Sequence, residues 1–359
     1  MHTYPVAKIN LAAAQSNLAR VKQLAPESQI IAVIKANAYG HGAIELAQAL
    51  SASDAFAVAR LSEALALREA ANHHPIVVLE GVHSAEDLEL ATQHNLSLVF
   101  HHQSQLELLQ ASQLSKPLAF SWLMLETGMH RLGLTTAHAQ QALTLFTPGS
   151  VGVMSHFANA DERDDSRNTQ QLEKTHNFAL ANNLTSSMAN SAAILSISAS
   201  HADWVRPGLM LYGISPFSET TAKDLKLKPV MTLSSKLIAV QQLQAGDQVG
   251  YGGDWIAQES LRIGIVSIGY GDGYSRHLSN IGTVLINGLL ATVVGRVSMD
   301  MIAIDLSNNV DSAIGDEVIL WGDPRLPVEH IAEQAGTIAY ELVCQLTDRV
   351  VREYHYGES

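Results

Sequence analysis

The feature that most constrains the fold is a regular alternation of short apolar runs with amphipathic stretches over the first two-thirds of the chain. Residues 29–34 form an apolar run rich in β-branched side chains, and residues 43–51 after it have helical periodicity. The same order recurs at residues 55–71, 75–92, 96–110 and 118–145, and another apolar run follows at 151–154. Strands separated by helices form parallel sheets. So many consecutive units favour an α/β fold with an N-terminal (β/α)8 barrel of the TIM type over an open sheet.

The pattern changes near Lys228 and Pro229. From there the apolar residues alternate with period two, and Asn287-Gly288 between two such segments is a strong hairpin signal because both residues tolerate positive φ. A short helix is predicted at residues 327–335. We therefore predict a barrel domain of residues 1–228 and a mostly-β C-terminal domain of residues 229–359.

Charge and cysteine usage exclude several classes of protein. The net charge of −13 argues against a nucleic-acid partner, because phosphate binding needs a basic surface. The single cysteine, Cys344, allows no intramolecular disulfide, and its apolar neighbours predict a small buried residue. No signal peptide and no membrane-spanning apolar run is recognisable, so we expect a cytoplasmic protein without a membrane partner.

A lysine at the end of a predicted strand is the first candidate functional residue. Lys35 follows the apolar run 29–34 and precedes a glycine-containing turn, in the sequence IKANAYGHG of residues 34–42. The carboxyl ends of barrel strands form the active-site face. A lysine among apolar walls there has a lowered pKa and can act as a nucleophile, whereas the simpler interpretation is a surface lysine at a strand end.

These residues resemble the pyridoxal 5'-phosphate (PLP) signature of the fold-type III family that includes alanine racemase. The resemblance implies that Lys35 binds PLP covalently and that Tyr39 contacts its phosphate. Further matches follow in order along nearly the whole chain. They imply cofactor contacts by the following residues: His156 against the ring, Arg206 at the pyridine nitrogen, and Asn190, Ser191, Gly208, Leu209 and Tyr340 near the phosphate.

Arginines at two of these positions have a physical rationale. The resemblance places Arg131, in the sequence ETGMHRLG of residues 126–133, on the phenolic oxygen of the cofactor and the substrate carboxylate, which a guanidinium fork suits geometrically. Arg206 stays charged at any working pH and would disfavour protonation of the pyridine nitrogen. The ring would then withdraw less charge, so that reprotonation at Cα competes better with transamination.

The resemblance also assigns residues of the predicted β domain to an active site. Tyr270, in a glycine-rich turn after an apolar strand, corresponds to a second catalytic base that acts across a dimer interface, and Met299 and Asp300 would line the partner's substrate pocket. A free tyrosine has a pKa near 10 and needs nearby positive charge to act as a base near neutral pH. A homodimer is therefore expected.

Racemisation removes the Cα proton from one face and returns a proton to the other, which two bases on opposite faces achieve without moving. By resemblance, Lys35 would take the proton of D-alanine and Tyr270 that of L-alanine. The reaction would supply D-alanine for peptidoglycan or allow alanine catabolism, and no metal ion is expected.

One departure from the family pattern concerns the support of Arg131. Many members have a lysine, which becomes carbamylated, at the position of Met124. A thioether carries neither a carbamate nor a charge, so we predict that another side chain or a bound anion such as chloride holds Arg131. Glu126 also replaces the commoner aspartate.

Three alternatives remain open on sequence grounds. A decarboxylase of the same fold type usually has a reactive cysteine in its site, and Cys344 lies in no such motif. A non-catalytic PLP-binding protein would resemble the barrel alone. A metal-dependent barrel hydrolase would need ligand spacing that the pairs His73-His74 and His101-His102 do not provide.

Overall fold

The computed structural model describes residues 5–357 and begins with strand β1 (Val6–Asn10) and helix α1 (Leu11–Leu24). The chain divides into two compact units. The barrel unit comprises residues 15–38 and 43–211, and the β unit comprises the residues up to 14, residues 39–42 and the residues from 212 onward.

Eight parallel strands of the barrel unit form a closed barrel. The strands are β2 (Gln29–Val33), β3 (Ala55–Val58), β4 (Ile76–Val78), β5 (Ser97–Phe100), β6 (Ser121–Met124), β7 (Val151–Met154), β8 (Ser186–Ser187) and β9 (Trp204–Val205). The barrel closes where Gln29 and Ile30 of β2 pair with Trp204 and Val205 of β9. The predicted α/β fold with a parallel barrel is thereby confirmed.

Helices cover the barrel strands because each connection between parallel strands must return along the sheet. They are α2 (Ala43–Ala49), α3 (Leu61–Glu69), α4 (Ala85–Gln93), α5 (Gln103–Ala111), α6 (Thr136–Ala142), α7 (Ser166–Asn182) and α8 (Ser191–Ser196). The hydroxyl of Ser84 accepts a hydrogen bond from Asp87 N at 3.1 Å, which caps α4.

Besides β1, the β unit contains the strands β10 (Met231–Leu243), β11 (Gln248–Val249), β12 (Trp255–Ile256), β13 (Leu261–Val266), β14 (Thr283–Ile286), β15 (Leu289–Val294), β16 (Ile302–Asp305), β17 (Glu317–Trp321) and β18 (Val351–His355). Eight of these strands form one sheet in the order β13-β16-β15-β14-β17-β10-β1-β18, in which β10 also pairs with β13. Two helices accompany them, α9 (Val328–Gln334) and α10 (Ala339–Cys344). The predicted mostly-β C-terminal part is confirmed.

The first strand of the chain belongs to the β unit. β1 pairs with β10 in the antiparallel and with β18 in the parallel direction. The division at residues 228 and 229 stays a prediction, and the structure adds that the barrel sequence is preceded by a strand of the other unit.

The prediction that Cys344 is buried is wrong: its thiol is exposed at the end of α10 because the apolar neighbours Leu342 and Val343 take the buried positions of this short helix. Among residues 5–357, no helix has the length and apolar character needed to cross a membrane.

Candidate active site

Lys35 follows the end of β2 after one residue, Ile34, and the strand residues Ile30–Val33 are buried. The backbone then makes a left-handed turn, in which Ala36, Asn37 and Ala38 have φ of 52°, 53° and 52°. Left-handed backbone costs an L-residue about 1–2 kcal/mol, and such strain is typical of functional sites. The turn therefore needs support from the rest of the barrel unit.

Side chains and backbone around the turn provide this support. The amide of Ala36 donates to the Glu63 carboxylate at 2.6 Å, and Asn37 Oδ1 accepts from Ala43 N at 2.8 Å. Ala38 N donates to Ile34 O at 2.9 Å. These hydrogen bonds stabilise the backbone that directly follows Lys35.

Arg206 is a buried charged side chain of the barrel unit, with 5% of its surface exposed. Its guanidinium donates to Ser187 Oγ at 2.6 Å and to the carbonyl of Ser155, and Nη2 lies 3.5 Å from His156 Nδ1. All of these partners are neutral. Burial lowers the pKa of Arg206 to about 10, so the guanidinium remains charged at neutral pH.

The pKa of His156 shows that this region is positively charged. Loss of hydration, followed by the positive charges of Arg206, Arg131 and Lys35, lowers the pKa of His156 to about 3. The imidazole is therefore neutral under physiological conditions. Three of the sequence-predicted cations in the barrel unit therefore act on one neutral ring, and Arg206 lies next to it.

Ser191 joins two segments that the sequence analysis singled out separately. Its hydroxyl accepts hydrogen bonds from Gly208 N at 2.9 Å and Met210 N at 3.2 Å. Asn190 precedes it and caps α8, because Asn190 Oδ1 accepts from Ala193 N at 3.0 Å. Leu209 is buried beside Gly208 and begins a 3₁₀ turn, Leu209–Tyr212.

The surroundings of Arg131 differ from the expected support. Met124 ends β6, and the Glu126 carboxylate is occupied by the backbone amides of Gly128 and His130, the latter at 2.9 Å. Arg131 itself is exposed, and we find no hydrogen bond or ion pair for it among residues 5–357. The prediction that an anion holds Arg131 stays a prediction.

Gln171 is a site residue that the sequence analysis missed. It lies on α7 with 2% of its surface exposed. Its amide nitrogen donates to Thr127 Oγ1 and to His156 O, both at 3.2 Å, and its amide oxygen accepts from Ala158 N at 3.0 Å. A glutamine in an amphipathic helix carries no signal of such a role, because its partners come from two distant motifs.

Three aromatic residues form a group in the β unit. The ring centroid of Tyr39 lies 4.8 Å from that of Tyr212 and 5.8 Å from that of Tyr340. Burial, followed by the neighbouring Tyr340 and Cys344, raises the pKa of Tyr39, so its phenol is a hydrogen-bond donor at neutral pH. Tyr39 and Tyr340 were predicted site residues, whereas Tyr212 was missed.

Tyr270 and the segment of Met299 and Asp300 lie side by side in the β unit. Tyr270 N donates to Ser298 O at 3.0 Å, and Gly271 N donates to Met299 O at 2.9 Å. A Cβ at Gly269 would lie 2.3 Å from Ser298 O, so only glycine permits this close approach. The side chains of Tyr270, Met299 and Asp300 are all exposed.

Comparison with known proteins agrees with this architecture. The family model of the alanine racemase N-terminal domain matches residues 9–216, and that of the alanine racemase C-terminal domain matches residues 230–354. The alanine racemase of Nitrosococcus oceani is 48% identical over 354 residues, 97% of this chain and 99% of the relative. That of Aeromonas hydrophila is 46% identical over 354 residues, again 97% and 99%.

Solved structures give the same result. The crystal structure of biosynthetic alanine racemase from Pseudomonas aeruginosa superposes with a TM-score of 0.93 at 44% identity, over 99% of this chain and all of the other. The alanine racemase from Acinetobacter baumannii gives a TM-score of 0.92 at 42% identity, with the same coverage. The chain is thus an amino-acid racemase built from a parallel barrel and a β unit. It belongs to the alanine racemase family.

Proposed function

We propose that the protein interconverts L-alanine and D-alanine with PLP as its cofactor. The observation that carries this proposal is the positive charge near the neutral His156 in the barrel unit: Arg206 Nη2 lies 3.5 Å from its ring nitrogen, and Arg131 and Lys35 also lower its pKa. PLP is an anion through its phosphate and its phenolic oxygen, and when bound it supplies an electron-withdrawing ring that acidifies the Cα–H of an attached amino acid.

The donors in the barrel unit fit this cofactor. Lys35 provides the amine, and the neutral His156 provides an aromatic face without a charge to desolvate. The hydroxyl of Ser191 accepts from Gly208 N and keeps its own proton to donate to a phosphate, and the resemblance adds the backbone of Leu209 as a further donor. The resemblance assigns two phenols of the β unit, those of Tyr39 and Tyr340, to the same phosphate.

Arg206 supports racemisation rather than another PLP reaction. Its hydrogen-bond partners among residues 5–357 are neutral, so its full positive charge is available to a ring nitrogen placed against it. A cation at that position opposes protonation of the nitrogen. A decarboxylase benefits from the opposite arrangement, in which a carboxylate keeps the ring protonated.

Lys35 and Tyr270 are the two bases of the proposed mechanism. Lys35 holds or receives the proton on one face of Cα and serves D-alanine, whereas Tyr270 of a second copy holds or receives it on the other face and serves L-alanine. The exposure of Tyr270, 44% in the single chain, supports a role toward a partner in a homodimer. Arg131 would orient the substrate carboxylate, and Met299 and Asp300 would bound the space for its methyl group.

The reaction runs in both directions, so a genetic test is needed to decide between two physiological roles. The protein would supply D-alanine for peptidoglycan or open alanine to catabolism. A deletion strain that requires D-alanine for growth supports the first role, and one that fails only to grow on alanine supports the second.

The assay that tests the proposed function follows the optical activity of L-alanine and of D-alanine with purified protein and PLP. Lys35→Ala is expected to lose the visible absorbance of bound PLP and the activity together. Tyr270→Phe is expected to keep the absorbance and to lose racemisation by about 100-fold or more, because a positioned base contributes that much. Tyr356→Phe, at an exposed tyrosine of the same unit, is the matched control.

A parent protein without racemisation of alanine would contradict the proposal as a whole. Near-normal turnover of Tyr270→Phe in both directions would contradict the second base alone.

A further inference from the structure

Asp272 is a buried carboxylate beside the proposed base Tyr270. It ends the 3₁₀ turn Tyr270–Asp272 and has 1% of its surface exposed. Its Oδ2 accepts a hydrogen bond from Gly269 N at 2.9 Å, which closes the turn over Tyr270. Burial raises the pKa of Asp272, and the bond from Gly269 and the charge of Arg349 oppose this effect.

Arg349 connects this buried carboxylate to the neighbouring loop. Its Nε lies 3.0 Å from Asp272 Oδ1, and its Nη2 lies 2.7 Å from Asp300 Oδ1. One guanidinium thus pairs with two carboxylates: it donates a hydrogen bond to Asp300, and it forms an ion pair with Asp272 outside hydrogen-bond geometry. The planar fork of arginine suits such a double contact, which the single charge of a lysine cannot reproduce.

The backbone places Arg349 close to the turn from a third direction. Thr347 N donates to Asp272 O at 3.1 Å, and Thr347 Oγ1 donates to Gly271 O at 3.0 Å. A Cβ at Gly271 would lie 2.7 Å from Arg349 Nη1. The 347–349 segment is therefore packed against the Tyr270 turn and the Met299–Asp300 loop at once.

We propose that Arg349 is a positioning residue that holds the Tyr270 turn and the Met299–Asp300 loop in register for the reaction at Cα. Arg349 acts through Asp272 and Asp300 and does not itself contact the reacting atoms. The inference rests on the proposed function, because it matters only if Tyr270 is one of two bases.

This role has a consequence that a general structural role lacks. Loss of Arg349 displaces only the base on the tyrosine face, while Lys35 in the barrel unit keeps its own support. In D₂O, Lys35 would still take the Cα proton of D-alanine and return a deuteron to the same face, since a lysine amine exchanges its hydrogens with solvent. D-alanine would then exchange its Cα hydrogen without inversion, whereas L-alanine would exchange no faster than it racemises.

The test is Arg349→Met, which keeps the aliphatic stem and removes the fork. Loss of Cα–H and the enantiomeric composition are followed by NMR and chiral analysis in D₂O, from D-alanine and from L-alanine, with the PLP-loaded protein. The ratio of exchange to inversion from D-alanine is expected to rise about tenfold or more, because a misplacement near 1 Å has effects of this size or larger. The visible spectrum of bound PLP is expected to stay unchanged.

Three further variants keep the test decisive. Arg349→Lys is expected to restore only part of the inversion, and Arg325→Met, which breaks the Arg325–Asp323 pair of the same unit at 2.8 Å, is expected to behave as the parent. If Arg349→Met does not fold because Asp272 loses its counter-charge, Arg349→Met/Asp272→Asn removes the stranded charge and is expected to show the same rise in the ratio.

Equal losses of exchange and inversion from D-alanine, or full activity of Arg349→Met, would overturn the inference. Tyr270→Phe distinguishes this failure from that of the proposed function. If Tyr270→Phe also leaves the ratio unchanged, the two-base assignment fails and the inference with it. If Tyr270→Phe raises the ratio and Arg349→Met does not, only the role of Arg349 is refuted.

Discussion

Gln171 shows how a neutral side chain can organise a cationic site. Its amide satisfies three groups that belong to two motifs, Thr127 near Arg131 and the backbone of His156 and Ala158. Because the amide is buried, each of these contacts replaces a hydrogen bond to water that the folded protein cannot make. The two motifs are thereby held together without adding a charge that would compete for an anionic ligand.

Gln171→Leu is expected to cost about 1 kcal/mol or more in the free energy of unfolding, because the partly buried Ala158 N and His156 O lose their partner. Racemisation should fall together with the affinity for PLP, since Thr127, four residues before Arg131, and the backbone of His156 lose their common partner. Urea denaturation and PLP titration measure the two effects. Gln93→Leu, at an exposed glutamine on α4 that donates to Glu89, is the control. A destabilised variant with parental PLP affinity and kcat/KM would limit Gln171 to a role in folding.

The depressed pKa of His156 makes a prediction about acid stability. In the folded apoprotein this pKa is about 3, whereas an unfolded histidine titrates near 6.5. Between these values the unfolded chain binds a proton that the folded chain does not, so the free energy of unfolding falls as the pH falls through this window. Above pH 6.5 the group contributes no pH dependence.

His156→Gln is therefore expected to flatten the decline in the free energy of unfolding of the apoprotein between pH 6 and pH 4, which urea titrations at several pH values measure. His130→Gln, at an exposed histidine of the barrel unit, controls for the loss of a histidine as such. The same slope in His156→Gln and in the parent would contradict the assignment.

The site was predictable from sequence where a residue sits inside a local motif. Lys35 and Tyr270 each follow an apolar run at the end of a predicted strand, and Arg206 stands in a continuous motif that resembles the family's, so their placement depends mainly on neighbours along the chain. Gln171 and Arg349 depend on partners from distant segments, and no local pattern distinguishes them from other polar residues.

At the scale of elements, the turn after Lys35 is the least expected feature. Alanine has no preference for left-handed backbone, yet Ala36 and Ala38 adopt it on both sides of Asn37. The hydrogen bonds from Ala36 to Glu63 and from Ala43 to Asn37 favour the turn, at a cost that right-handed turns do not carry. The barrel thus maintains local strain next to the proposed nucleophile.

Two glycine substitutions at exposed alanines are expected to have opposite signs. Ala36→Gly relieves the left-handed strain and should raise the free energy of unfolding by up to about 1 kcal/mol. Ala66→Gly, in the middle of α3, should lower it by about 1 kcal/mol because glycine weakens a helix. Chemical denaturation of both variants checks the prediction, and a loss of stability in Ala36→Gly would mean that the turn is not strained.

Elements with a strong periodic pattern were predicted, and short ones were not. The hairpin at Asn287-Gly288 is confirmed, with φ of 49° and 82° and Ile286 opposite Leu289. The strands β8 and β9 have two residues each, which is too short for any periodicity to appear. The pairing of β1 with β18 joins the two ends of the chain, and nothing local to either segment encodes it.

At the scale of the molecule, the two proposed bases belong to different units. Lys35 is a residue of the barrel unit and Tyr270 of the β unit. The proposed homodimer completes each site with a phenol from the second copy. The activity would then depend on the association of two chains and not only on the fold of one.

Complementation of two inactive variants tests this dependence. In a mixed dimer of Lys35→Ala and Tyr270→Phe, one site has neither base, whereas the other has Lys35 of one chain and Tyr270 of its partner. Half of randomly assembled dimers are mixed and each has one intact site of two, so about a quarter of the parental activity is expected. If both bases came from one chain, every site in the mixture would lack a base and the activity would stay at that of the single variants. Tagging the two variants differently and purifying the mixed dimer doubles the expected value to about half, which separates true complementation from a trace of parental protein.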